Sequence, residues 1–259
     1  MTHRRVALVT GGSRGIGLGI AHALASEGWN LVVNGMRPEE QVSEALEKLR
    51  DAGGEVAYVP GNVANGDDRR RLVEQIRNRF GQLHLLVNNA GITSPGRKDL
   101  LEATRDSFEQ VFAVNFKGPA LLAQMCARWM REQRVQDPQY AGAIVNMSSI
   151  SAEIPSVNRG DYCLSRAVLS AAGLQWAKRL SGEGVKVFEI RPGVIRTDMT
   201  AAVTEKYDRL IADGLTAERR WGEPQDVGRA VATLVREGSP FVTGTLILVD
   251  GGLTRLRGL

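Results

Sequence analysis

Short apolar runs at 6–10, 30–34, 55–60, 83–87, 143–147, 185–190 and 244–249 are separated by longer stretches in which apolar residues return at helical spacing. Runs without polar alternation fit strands covered on both faces, and strands alternating with helices fit a parallel sheet. The helical stretches fall at about 15–28, 38–52, 67–80, 106–134, 162–182 and 224–235. Pro38 and Pro224 stand near helix starts, where a missing N–H costs nothing, and Asp67 is placed to cap the third helix. The pattern loses regularity between 198 and 221, where Gly214 interrupts an amphipathic stretch, and 132–142 reads as a polar surface loop. The expected fold is α/β: a doubly wound parallel sheet with helices on both faces.

Composition narrows this further. The 259 residues carry 43% hydrophobic residues and no Pro/Ser-rich linker, so residues 1–259 are expected to form one domain. A net charge of +4 is spread along the chain rather than gathered in a basic tail, which argues against nucleic-acid binding. Cys126 and Cys163 are the only cysteines, which fits a reducing compartment, and no apolar run is long enough to span a bilayer. The reading is a cytoplasmic protein with no membrane association. His3, His22 and His84 are scattered without ligand spacing, so no metal site is expected.

Chemistry enters at the end of the first strand. Gly11, Gly15 and Gly17 form a turn between a strand and a helix, a setting in which backbone N–H groups and the helix dipole attract a dinucleotide phosphate. This makes the expected fold Rossmann-type. An acid near the end of the second strand would hold a ribose 2′-hydroxyl, whereas a nearby arginine would accommodate a 2′-phosphate. Asn34 and Arg37 stand there with no acid, and Arg14 lies in the preceding turn, so NADP(H) is favoured over NAD(H). The fourth strand ends in Asn88-Asn89-Ala90-Gly91, small and amide residues suited to backbone passing close beside a cofactor. Tyr162 and Arg166 are four apart on a predicted helix and share a face, so the cation can lower the tyrosine pKa. Taken alone, the pair reads more readily as a helix anchor and a solvated arginine.

With Ser149 thirteen residues before Tyr162, then Arg191-Pro192-Gly193 and Val249-Asp250-Gly251-Gly252, the motifs follow one another along essentially the whole chain. In that order they resemble the classical short-chain dehydrogenases/reductases. The turn with Arg14 and the 88–91 segment look most like the 3-oxoacyl-(acyl-carrier-protein) reductases, although many alcohol and sugar dehydrogenases share these features. The resemblance implies hydride transfer between a nicotinamide and a carbonyl or alcohol carbon, with Tyr162 as proton donor or acceptor and Ser149 orienting the substrate oxygen. It implies that Asn115 kinks its helix and holds a water in the proton path. Cofactor contacts are implied at Gly11, Ser13, Arg14, Gly15, Ile16, Gly17, Asn34, Arg37, Asn62, Val63, Asn89, Ala90, Gly91, Tyr162, Arg166, Pro192, Gly193, Ile195 and Thr197. It also implies a substrate lid at about 198–221, with Met199, Val203 and Tyr207 facing the pocket, and a homodimer or homotetramer. The substrate would be a small carbonyl or alcohol, free or carrier-protein-bound, and Arg128, Arg131 and Arg134 offer a basic surface to an acidic carrier.

One position departs from the family. Arg166 stands where the family has lysine, keeping the charge but replacing a compact ammonium with a planar fork. Two readings follow: an oxidoreductase, or a catalytically impaired member acting as a cofactor-binding scaffold or regulatory protein.

Overall fold

A parallel sheet of seven strands, ordered β3-β2-β1-β4-β5-β6-β7, forms the centre of the computed structural model, which describes residues 4–236 and 241–256. His3 lies outside the described residues. The strands are β1 Val6–Thr10, β2 Asn30–Gly35, β3 Val56–Pro60, β4 Leu85–Asn88, β5 Gly142–Met147, β6 Val185–Pro192 and β7 Leu246–Val249. The helices are α1 Gly15–Ser26, α2 Ser43–Ala52, α3 Gly66–Phe80, α4 Arg105–Phe112, α5 Gly118–Gln136, α6 Gly160–Leu180, α7 Thr204–Ala212 and α8 Pro224–Leu234.

Successive strand residues point to opposite faces, and both faces are covered. Ala7 and Val9 join a core with Ile20, Leu24, Leu46 and Val231 from α1, α2 and α8. Val6 and Leu8 join the other core with Leu72, Ile76, Leu122 and Leu180 from α3, α5 and α6. This is why the strands read as unbroken apolar runs. Helices α1 and α8 approach to backbone contact: a Cβ on Gly228 would lie 2.2 Å from Gly19 O.

Several boundaries differ from the sequence reading: α5 runs on to Gln136, into the stretch read as a loop at 132–142, α6 starts at Gly160, and three further differences have a local reason. Helix α3 is capped by Asn65, whose side chain accepts from the N–H groups of Asp67 and Asp68, rather than by Asp67. The 38–52 stretch divides into a 3₁₀ turn at Glu39–Gln41 and α2, because Val42 has a non-helical backbone. The long helix expected at 106–134 is two helices joined by a π-helical segment at Ala113–Lys117, which contains Asn115.

His84, between α3 and β4, accepts a hydrogen bond from the Val6 N–H. Burial, and then the Arg5 charge, lowers its pKa from 6.5 to about 4. The unfolded chain therefore takes up a proton that the folded chain resists. Stability from the neutral ring is complete above pH 6.5 and is lost as the pH falls towards 4, by at most about 3 kcal/mol and less for the part of the ring that water reaches. Urea unfolding across this window should show that fall, and His84→Gln should flatten it; an equally steep slope in the variant would remove the assignment.

Candidate active site

The strand order reverses between β1 and β4, the point at which open α/β sheets place a ligand beyond the carboxyl ends of the strands. A cavity of about 730 Å³ opens there, lined from Gly11 and Arg14 at one end through Ser149 and Tyr162 to Met199 and Tyr207. Every residue expected to touch the cofactor lines it. Among the predicted site residues Asn115 alone does not.

The glycine turn is tight. Gly11 and Gly15 have φ of +62° and +50°, and a Cβ on Gly17 would lie 2.1 Å from Gly11 O. Thr10 Oγ1 accepts from the N–H groups of Asn89 and Ala90, while Asn89 Nδ2 donates to Thr10 O at 2.8 Å and Gly11 O at 3.2 Å. The Asn89 carboxamide thus ties the end of β4 to the turn. Asn34, 3% exposed, similarly donates from Nδ2 to Val59 O and Gly61 O, joining the ends of β2 and β3. Ser13 and Tyr58 close around Gly35, and the Tyr58 hydroxyl donates to Arg37 O. Arg14 Nη1 meets Asp198 Oδ2 at 3.2 Å across the mouth, both side chains largely exposed.

Asn115 is fully buried. Its Nδ2 donates to Ile92 O and Ser165 Oγ, and its Oδ1 accepts from the Ile92 N–H. The side chain braces the turn after β4 against α6.

Tyr162 lies in the first turn of α6, held from below by Asp161, a buried carboxylate that accepts from the Tyr162 N–H and from the hydroxyls of Ser94 and Ser107. Burial raises the phenol pKa, but the Arg166 charge, the Ser149 hydroxyl, the Arg166 guanidinium as a donor and the Arg159 charge together bring it below the ordinary value of 10. The guanidinium carbons of Arg166 and Arg159 lie 5.1 Å and 5.3 Å from the phenol ring centroid. Arg166 is 5% exposed; its Nη1 donates to Met147 O at 2.9 Å, and its Nε has no protein partner. The larger head group fits because the facing residue is Gly91, on which a Cβ would stand 2.2 Å from Arg166 Nη2.

Ser149 stands in extended backbone after β5, its Oγ accepting from the Ser151 N–H. The adjacent Ser148 donates its hydroxyl to Glu189, which also accepts from Ser170 Oγ and, at 2.6 Å, from Arg191 Nε. Arg191 in turn reaches Ser170 and Glu153. This buried network clamps the 148–153 segment to β6 and α6. Sequence reasoning gave Arg191 a motif position only; Glu189, Ser170 and Glu153 carried no pattern that would have signalled it.

Several cavity residues were not foreseen: Arg97, Gln110, Val114, Ser151, Arg159 and Asp198. A different expectation weakens, because Arg131 pairs with Glu183 and Arg134 turns to the carbonyls of Pro138 and Tyr140, leaving Arg128 as the exposed remnant of the basic surface. Among the described residues no group of three or more His, Cys, Asp or Glu is arranged to hold a metal ion, and no helix is long and apolar enough to cross a membrane.

A family model described as enoyl-(acyl carrier protein) reductase matches residues 11–254. The chain belongs to the short-chain dehydrogenase/reductase family. The 3-oxoacyl-[acyl-carrier-protein] reductase FabG of Staphylococcus epidermidis is 32% identical, covering 95% of this chain and 98% of that protein. A crystal structure of 3-oxoacyl-[acyl-carrier protein] reductase from Brucella melitensis in complex with NAD has a TM-score of 0.92 at 40% identity over 98% of both chains. A short-chain type dehydrogenase/reductase from Mycobacterium ulcerans has a TM-score of 0.88 at 30% identity, over 98% of this chain and 91% of that one. The protein is therefore an oxidoreductase of this family with a nicotinamide cofactor.

Removing one partner of a buried ion pair leaves an uncompensated charge. Arg191→Met should lower unfolding stability by about 3–5 kcal/mol, and Glu189→Gln in the same chain should restore part of the loss. Denaturant titration checks both; a single variant within about 1 kcal/mol of the parent would show that the network is not load-sharing.

Proposed function

We propose that this oxidoreductase uses NADP(H) to interconvert a carbonyl and an alcohol on a small substrate, with 3-oxoacyl thioesters as the substrate class supplied by its named relatives. The observation that carries this reading is the Tyr162–Arg166 pair: a phenol held below its ordinary pKa, beside the Ser149 hydroxyl, in the cavity that begins at the glycine turn. A scaffold protein would have no need of such a phenol.

A nicotinamide bound in this cavity would supply or take up the hydride. In reduction Tyr162 gives its proton to the carbonyl oxygen, and in oxidation it takes one from the hydroxyl, while Ser149 orients that oxygen and stabilises charge developing on it. Arg166 holds the phenol ionisable, and its Nε, unsatisfied by protein, is the donor left over for a cofactor hydroxyl. Asn115 and Asp161 fix the two backbone segments from which this group works.

Preference for the 2′-phosphate rests on charge. Arg14 and Arg37 line the nucleotide end of the cavity, where Asp198 is the one lining carboxylate among the described residues and is already engaged by Arg14. An exposed pair of that kind is worth about 0–1 kcal/mol, so a phosphate can displace it. The 198–221 region fits a lid: Met199, Val203 and Tyr207 line the cavity, and Tyr207 packs edge-on to Trp221 at 5.8 Å. The outward face of α6 leaves Leu164 and Leu174 about half exposed, which suits burial in a homodimer or homotetramer.

Titration followed by nicotinamide fluorescence should show NADPH binding at least about tenfold more tightly than NADH, and equal affinities would remove the role given to Arg14 and Arg37. With an acetoacetyl thioester as substrate, Tyr162→Phe should lower kcat at least about 100-fold while leaving the NADPH dissociation constant nearly unchanged; an unimpaired kcat would take the proton transfer away from Tyr162.

A further inference from the structure

Among the described residues five arginines line the cavity, Arg14, Arg37, Arg97, Arg159 and Arg166, against the single carboxylate of Asp198. Arg14 and Arg37 are accounted for at the nucleotide end, and Arg166 by Tyr162. Arg97 has no task in the chemistry so far, and Arg159 has only the smallest share in lowering the Tyr162 pKa. Neither forms an ion pair among the described residues; Arg97 Nη2 donates only to Met199 O at 3.3 Å, and Arg159 lies over the Tyr162 ring. Both side chains are half-buried. A cation partly shielded from water without a counter-charge gains when a ligand supplies the anion.

Their positions place that anion at the reacting end. Arg159 directly precedes α6 and lies within 5.3 Å of the ring that carries the reacting hydroxyl. Arg97 sits in a 3₁₀ turn with φ of +48°, a left-handed conformation that a non-glycine residue adopts at a cost and that gathers at ligand-binding positions. The chain just after Arg97 packs on the segment carrying Arg159: the turn Leu100–Glu102 rests on the turn Val157–Arg159, and the Leu100 side chain fills the space over Gly160. Val114, Met199 and Val203 supply apolar wall nearby.

We infer that Arg97 and Arg159 form a subsite that holds a carboxylate, so that short oxo or hydroxy acids join the thioesters as reacting compounds. This rests on the oxidoreductase reading above and adds an acid substrate class to it. In reduction the carbonyl carbon of the oxo acid accepts a hydride from the reduced nicotinamide nucleotide and its oxygen accepts the Tyr162 proton. The products are the hydroxy acid and the oxidised nucleotide, and the carboxylate is unchanged. A thioester of the same chain length offers no charge to the two guanidinium groups, whereas a free acid offers two oxygens to their fork-shaped donors.

Calorimetry on the full-length protein saturated with NADP⁺ tests this, using 2-, 3- and 4-hydroxybutyrate and the methyl ester of each. At least one acid should bind tighter than its ester by roughly 10-fold or more, the scale of hydrogen bonds to a charged group. Arg159→Gln and Arg97→Gln should each draw that ratio towards one, with retained NADP⁺ binding as the check on folding. Acids that bind no tighter than their esters, or a preference that survives both substitutions together, would overturn the anion site. A bound acid that is never oxidised, with no nucleotide reduced, would instead overturn the oxidoreductase reading while the anion site stands.

Discussion

Burial would raise the pKa of the Tyr162 phenol; the Arg166 charge, with the Ser149 hydroxyl beside it, outweighs burial and brings it below the ordinary value. Much of the surrounding structure serves to keep these three groups in register. Asp161 fixes the start of α6, the Arg191–Glu189 pair fixes the segment carrying Ser149, and Met147 O holds one arm of the Arg166 guanidinium. A planar fork is a poor substitute for an ammonium where space is set for the smaller group. Here the space is set by Gly91, and the larger group is seated against it with its buried Nε unpartnered.

The reversal of strand order between β1 and β4 creates the cavity, and buried carboxamides hold its rim. Asn89 binds the glycine turn, Asn34 joins two strand ends and Asn115 braces the turn after β4. Strand ends leave backbone groups without ladder partners, and a carboxamide, with two donors and an acceptor, satisfies several at once. Asn34 and Asn89 were picked from the sequence as cofactor contacts, and Asn115 as the holder of a water in the proton path. Two of them line the cavity, but the side-chain hydrogen bonds of all three go to protein.

The strands and the phosphate turn were legible because continuous apolar runs and glycine spacing are local signals. The sheet was accordingly read with boundaries only one or two residues out. Helix α3 was misassigned its cap because Asn65 and Asp67 are equally good capping types, and only backbone angles choose between them. The π segment around Asn115 was anticipated as a kink from resemblance, since nothing in helical periodicity announces an inserted residue. Arg97 and Arg159 escaped notice because their meaning is tertiary: exposed arginines are ordinary, and only a shared cavity with almost no carboxylate makes these two informative.

On the proposed reading the charges around the cavity divide among three tasks: Arg14 and Arg37 for a nucleotide phosphate, Arg166 for the phenol, and Arg97 and Arg159 for a substrate anion. The account depends most on the second of these. Absorbance titration of the parent protein minus Tyr162→Phe isolates the phenolate of that one tyrosine. The difference should show ionisation below pH 10 and earlier than Tyr58 and Tyr140, whose burial raises theirs; ionisation of Tyr162 at or above the ordinary value would contradict the account.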